Sequence, residues 1–124
     1  MNDDFIKIEP PKDIEPKFLR RLEELGGTKL VSELIKMYLE RGNQLLETIC
    51  NGIDTQDYSS VKGAAHSLIS SAGNLGGHKV SDLAKSMENA AIDAESDAMI
   101  NLRPDLETAQ AEFQTYLKGA LENL

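Results

Sequence analysis

Apolar residues recur at helical spacing through most of the chain. The clearest case follows Asp57, where successive apolar residues are separated by four, three, four and three positions: Val61, Ala65, Leu68, Ala72 and Leu75. An α-helix has about 3.6 residues per turn, so this spacing places all five side chains on one face. The pattern predicts a helix from the polar turn at residues 54–57 to about Leu75.

Similar patterns predict further helices and no convincing strand. A short helix is predicted after Asp13, with Phe18, Leu19, Leu22 and Leu25 as its apolar face, and Gly26-Gly27 stops it. A second helix runs from about Lys29 to about Cys50, has Gly42 on its apolar stripe and is ended by Asn51-Gly52. Another helix starts near His78 or Lys79, and the last covers roughly residues 96–122, where Pro104 should kink or restart it. The fold predicted is all-α, an antiparallel up-down four-helix bundle with an additional short N-terminal helix. Residues 1–13 are predicted to be a flexible arm, and residues 14–124 the bundle domain.

Composition narrows the function classes. The chain has 124 residues, enough for one domain, and its formal net charge of -8 disfavours nucleic acid and anionic membrane surfaces. A single cysteine, Cys50, excludes an internal disulfide. The N-terminus lacks the pattern of a signal peptide, and no run of apolar residues is long enough to span a membrane. These features predict a soluble cytoplasmic protein.

One histidine lies off the apolar face of the third predicted helix. With the direction of the apolar seam set to zero, His66 points roughly 150° away from it. A solvated helix face normally carries several long charged or polar side chains, but only one of the neighbours on this outer face is charged. These neighbours are Ser59, Lys62, Gly63, Ile69, Ser70 and Gly73. An interior glycine costs a helix about 1 kcal/mol relative to alanine, so Gly63 and Gly73 indicate clearance for something that approaches the imidazole. The alternatives are that these glycines pack against a neighbouring helix, or that Gly73 marks fraying of the helix end.

The segment around this histidine carries a family signature. Residues 66–77 read HSLISSAGNLGG, which closely resembles the signature of histidine-containing phosphotransfer (Hpt) domains: a histidine, any residue, a leucine, then a lysine, glycine or serine, small residues and finally Asn-Leu-Gly-Ala. Leu83, the pair Met87-Glu88 and the stretch 102–108, LRPDLET, extend the resemblance to roughly residues 20–122. The bundle predicted above is the fold of that family.

The resemblance has one departure at the site. Family members typically carry a lysine three residues after the histidine, and this chain has Ile69. Lys62, one turn before His66 on the same face, is a candidate for the missing charge, with an ordinary solvated lysine as the alternative. Glu88 stands where the family often has Glu or Gln near the active histidine. Ile69, Ser70, Gly63 and Gly73 complete the predicted docking face.

The resemblance implies a phosphoryl carrier in a two-component phosphorelay. His66 would accept a phosphoryl group from an aspartate on the receiver domain of a response regulator or hybrid histidine kinase, and pass it to another receiver. No nucleotide-binding loop is present, so neither ATP binding nor kinase activity is expected. No metal ligand set or bound cofactor is predicted, and the receiver would supply Mg²⁺. A monomer is expected. The alternatives are an Hpt-like interaction module that binds a receiver or kinase but transfers poorly because of Ile69, and a purely structural bundle.

Overall fold

The computed structural model describes residues 14–124, and the predicted arm, residues 1–13, lies outside the described residues. The described part contains four helices in the order α1 (Lys17–Thr55), α2 (Tyr58–Gly73), α3 (His78–Ile92) and α4 (Ser96–Glu122). Each helix packs on the next one along the chain, and α4 packs back on α1. This contact pattern closes a bundle around one core. The prediction of an all-α helical bundle is therefore confirmed.

The segment predicted as a separate N-terminal helix is the first part of α1. Gly27 interrupts the helical geometry inside α1, with φ 74° and ψ -175°. The helix resumes directly after it, so the structure does not show the predicted N-terminal helix as a separate element. Leu19 is fully buried in this segment, whereas Leu25 is 75% exposed. Three-residue steps drift by about 60° per step around a helix, so Leu25 has rotated off the face that Leu19 buries.

The prediction that Asn51-Gly52 ends a helix is wrong, because α1 continues to Thr55 and is followed by Gln56 in a left-handed conformation. Gly52 is buried, and a Cβ there would lie 2.7 Å from Cγ2 of Val61 and 2.9 Å from the backbone oxygen of Asp57. This glycine lets the start of α2 approach α1. Gly42, on the apolar stripe of the same helix, acts in the same way, because a Cβ there would lie 2.7 Å from Nε2 of Gln110 on α4.

The predicted seam of α2 forms the centre of the core. Val61, Ala65, Leu68 and Ala72 are fully buried, and Leu75 is 5% exposed. The helix itself ends at Gly73, two residues before the predicted end. Gly76 then adopts φ 89°, and a Cβ on Gly77 would lie 2.5 Å from the Phe113 ring. The two glycines therefore serve the turn and the packing of α4 beneath it.

The last helix continues through Pro104 without restarting. Proline lacks the N–H that would bond to the carbonyl of Ile100, and both residues lie on the exposed side of α4. Water can therefore satisfy that carbonyl. Within residues 14–124, no helix combines the length and the hydropathy that a bilayer crossing requires.

Candidate functional site

His66 lies in the middle of α2 with its imidazole in solvent. The side chain is 75% exposed, whereas Ala65 and Leu68 on the opposite face are fully buried. This orientation follows from the helical period, because the apolar seam fixes which side of α2 faces the core. The structure thus places the imidazole where the sequence pattern predicts it.

Glu88 of α3 holds one nitrogen of the His66 ring. Its Oε2 atom lies 2.7 Å from Nδ1 of His66, and the Glu88 side chain is only 18% exposed. An ionised carboxylate only accepts hydrogen bonds, so Nδ1 carries the hydrogen and donates it to Glu88. In the neutral ring, Nε2 then keeps its lone pair. The ring is held by one nitrogen, and the other has a lone pair that is free to act as a nucleophile.

A second contact joins α2 and α3 near the histidine, in addition to the packing of their apolar faces. The hydroxyl of Ser81 donates a hydrogen bond to the backbone oxygen of Ile69, with 2.8 Å between the oxygens. A Cβ on Gly73 would lie 3.3 Å from the same hydroxyl oxygen. Gly73 therefore packs against α3, which was one of the two alternatives for this residue.

The remaining residues of the predicted docking face lie on α2, but their surroundings differ. Lys62, Gly63 and Ser70 are exposed. No atom lies within 4 Å of the position that a Cβ on Gly63 would occupy, so this glycine, unlike Gly73, leaves open space. Ile69 is half-buried and packs against the core, and it presents no charge to the histidine.

The second histidine of the chain, His78, is the first residue of α3 and contacts the chain at the start of α1. Its Nε2 atom lies 2.7 Å from Oε1 of Glu15, and the Phe18 ring packs edge-on against the imidazole at 5.3 Å between centroids. A hydrogen bond from Lys17, with a smaller contribution from His78, lowers the pKa of the Glu15 carboxyl. These contacts give His78 a structural role.

Cys50 is half-buried, and burial raises the pKa of its thiol. A raised pKa keeps the thiol protonated near neutral pH and lowers its reactivity. Across residues 14–124, no group of three or more His, Cys, Asp or Glu side chains is arranged to hold a metal ion.

Sequence periodicity gave no sign of an apolar groove between the two parts of α1 and the end of α2. The groove has a volume of about 490 Å³ and is lined by residues that include Phe18, Arg21, Leu22, Met37, Arg41 and Leu75. Three separate segments form it, so only the folded chain brings its walls together.

Comparison with known proteins agrees with this architecture. The model of the Hpt domain family matches residues 33–124. Among solved structures, the fold is similar to the crystal structure of histidine-containing phosphotransfer protein B (HptB) from Pseudomonas aeruginosa, with a TM-score of 0.85, 17% sequence identity, and coverage of 91% of this chain and 97% of that chain. At that identity the likeness shows the fold. No curated protein sequence gives a significant match.

Proposed function

Because this chain belongs to the Hpt domain family, whose members are phosphoryl carriers and not kinases, we propose that His66 is the residue that carries the phosphoryl group. It accepts the group from an aspartate of one receiver domain and passes it to an aspartate of another. The observation that supports this assignment is the exposed ring with Nδ1 bound to Glu88, which leaves Nε2 directed to solvent.

The transfer requires only a nucleophile from this chain. The Nε2 lone pair forms a bond to phosphorus, while the bond between phosphorus and the aspartyl oxygen breaks and the carboxylate leaves with the electron pair. Nδ1 keeps its hydrogen throughout, so the phosphorylated ring carries a positive charge. The Glu88 carboxylate, 2.7 Å away, stabilises that charge, and transfer to the next receiver reverses the same steps.

The partners we propose are the receiver domains of a response regulator and of a hybrid histidine kinase. Mg²⁺ comes from the receiver in this scheme, as the family resemblance implies, and this chain needs no cofactor of its own. We further propose that the chain works as a cytoplasmic monomer, because an exposed histidine must dock one partner at a time.

The test is transfer from a radiolabelled phosphorylated receiver domain to the purified chain. We expect acid-labile label on the wild type and none on His66→Gln. The matched control is His78→Gln, which alters the other histidine and should retain the label. Label on His66→Gln, or none on the wild type with any receiver of the same organism, would refute the assignment.

A second function is favoured by Ile69. This residue packs against the core and leaves its position on α2 without the positive charge that the family resemblance leads one to expect. A chain that bound a receiver without efficient transfer would act as an interaction module. Binding of the receiver by the wild type, with no acid-labile label, would support this alternative.

A further inference from the structure

We propose that Lys85 of α3 is a phosphoryl-binding residue, and that a phosphoryl group on Nε2 of His66 is held between Lys85 and Lys62 of α2. The inference rests on the proposed function. It adds a residue that the sequence pattern did not single out, since Lys85 is 19 positions from His66 along the chain.

The chemistry of the site calls for positive charge. A phosphoryl group adds about -1.5 to -2 charges near neutral pH, and the positive charge of the phosphorylated ring offsets only part of this. Here it would sit on a ring that already contacts a carboxylate, Glu88, in a chain with a formal net charge of -8. Like charges close together repel, and the repulsion acts on the phosphorylated form more than on the free form. A cation beside the ring offsets this repulsion.

Two contacts between α2 and α3 place Lys85 beside the site. Ser81 bonds to the backbone of Ile69, and Glu88 bonds to the ring of His66. Lys85 lies between Ser81 and Glu88, four residues after one and three before the other, so the three residues share one stripe of α3. Its backbone is therefore fixed on the edge of α3 that borders the outer face of α2, between the levels of Ile69 and His66.

Lys85 is available for this role. It is exposed, and it forms no hydrogen bond or ion pair with the residues from Ile14 to Leu124, Asp82 one turn earlier included. Lys62 is likewise exposed and has no ion-pair partner in that range. It lies one turn before His66 on α2, so the two lysines belong to different helices beside the ring. In the proposal, their flexible stems bring the two ammonium groups to the added phosphoryl group.

The experiment uses phosphoramidate, a small phosphoryl donor that needs no docking surface. When Nε2 bonds to phosphorus, the phosphorus–nitrogen bond of the donor breaks and ammonia leaves. We would follow label on the full chain for wild type, Lys85→Gln and Lys62→Gln, and for the double variant. Lys118→Gln is the matched control, because Lys118 is an exposed lysine on α4, which packs on α1 and α3.

Each single lysine variant should label about five-fold more slowly, the effect of removing one solvent-exposed charge about 4 Å from another. The double variant should label about 25-fold more slowly if the two effects add. Lys118→Gln should match the wild type. Lys85→Arg should restore the rate because it restores the charge, and so should Ile69→Lys in the Lys85→Gln background. Added salt should slow the wild type but not the double variant.

Equal rates for Lys85→Gln and Lys118→Gln would overturn the inference and leave the proposed function standing, provided that His66→Gln takes no label. Slower labelling of Lys85→Gln that Lys85→Arg does not restore would also overturn it, because that result indicates a role in packing. Label retained on His66→Gln would instead overturn the proposed function, and this inference with it.

Discussion

The contact between Glu88 and His66 makes a quantitative prediction for both the rate and the chemistry of phosphorylation. Glu88→Ala removes the acceptor of the Nδ1 hydrogen and the charge that, in the proposed function, stabilises the phosphorylated ring. A hydrogen bond to a charged group contributes about 1.5–3 kcal/mol when water is excluded. Here the carboxylate is 18% exposed but the imidazole is 75% exposed, so water competes and we expect about 1 kcal/mol, or a five-fold slower reaction.

The matched variant Glu88→Gln separates the two contributions. Its amide oxygen still accepts a hydrogen bond from Nδ1 of His66, so the ring keeps its orientation, but the negative charge is lost. We expect a loss of about two-fold, because only the charge-assisted part of the hydrogen bond disappears. Glu112→Gln, an exposed change on α4, controls for the net charge of the chain and should leave the rate unchanged.

The assay is the time course of phosphorylation by phosphoramidate, with phosphorus NMR to identify the nitrogen that is modified. Wild type and Glu88→Gln should give the Nε2 product. Glu88→Ala should give a mixture, because an imidazole without a fixed hydrogen exchanges between its two tautomers. A wild-type rate together with an Nε2 product alone in Glu88→Ala would refute the idea that Glu88 sets the nucleophile.

Three further predictions concern the glycines and the start of α2. Gly52→Ala should lower the free energy of unfolding by about 1–3 kcal/mol in chemical denaturation, because the new methyl group would lie 2.9 Å from the backbone oxygen of Asp57; no loss would show that α1 and α2 can separate at this point. Gly63→Ala should raise the midpoint of thermal unfolding by a few degrees, because alanine gains about 1 kcal/mol of helix propensity and its methyl group meets open space. Gly63→Leu should slow phosphoryl transfer from a receiver but not from phosphoramidate. Equal slowing with both donors would show that Gly63 is not part of the docking face. Hydrogen bonds from Ser60 lower the pKa of the Asp57 carboxyl in the folded chain, and their stabilisation is lost when that carboxyl is protonated. Asp57→Ala should therefore lower the free energy of unfolding at pH values above the ordinary carboxyl pKa of 3.8, and by less as the pH falls. A difference in the free energy of unfolding that does not change with pH would contradict this.

The parts of the fold that could be predicted from sequence are those decided within one helix. The buried seam of α2 was predictable because a single periodicity determines which side chains share a face. The role of Gly52 was not, because a glycine that ends a helix and a glycine that admits a neighbouring helix look alike in sequence. The structure distinguishes the two roles, because a Cβ on Gly52 would lie only 2.7 Å from Cγ2 of Val61.

The site divides in the same way. The exposure of His66 was predictable because its direction depends only on the rotation of α2 relative to its own seam. The contact of Glu88 with the ring could be expected only from the family resemblance, because Glu88 lies on α3 and no local pattern gives the register of one helix on another. The bond from Ser81 to the backbone oxygen of Ile69 is one contact in which that register can be seen, and it is visible only in the folded chain.

Gly63 and Gly73 show why the site requires a partner to be understood. Both flank His66 in sequence, but Gly63 lies inside α2, where a glycine costs a helix about 1 kcal/mol relative to alanine, whereas Gly73 is the last residue of α2. Gly73 has a role within the chain, because a Cβ there would lie 3.3 Å from the hydroxyl oxygen of Ser81 on α3. Gly63 gains nothing from its own chain, since the space beside it is open. If the cost at Gly63 has a return, it must come from a molecule that approaches His66 from outside, which is what a phosphoryl carrier requires of its surface.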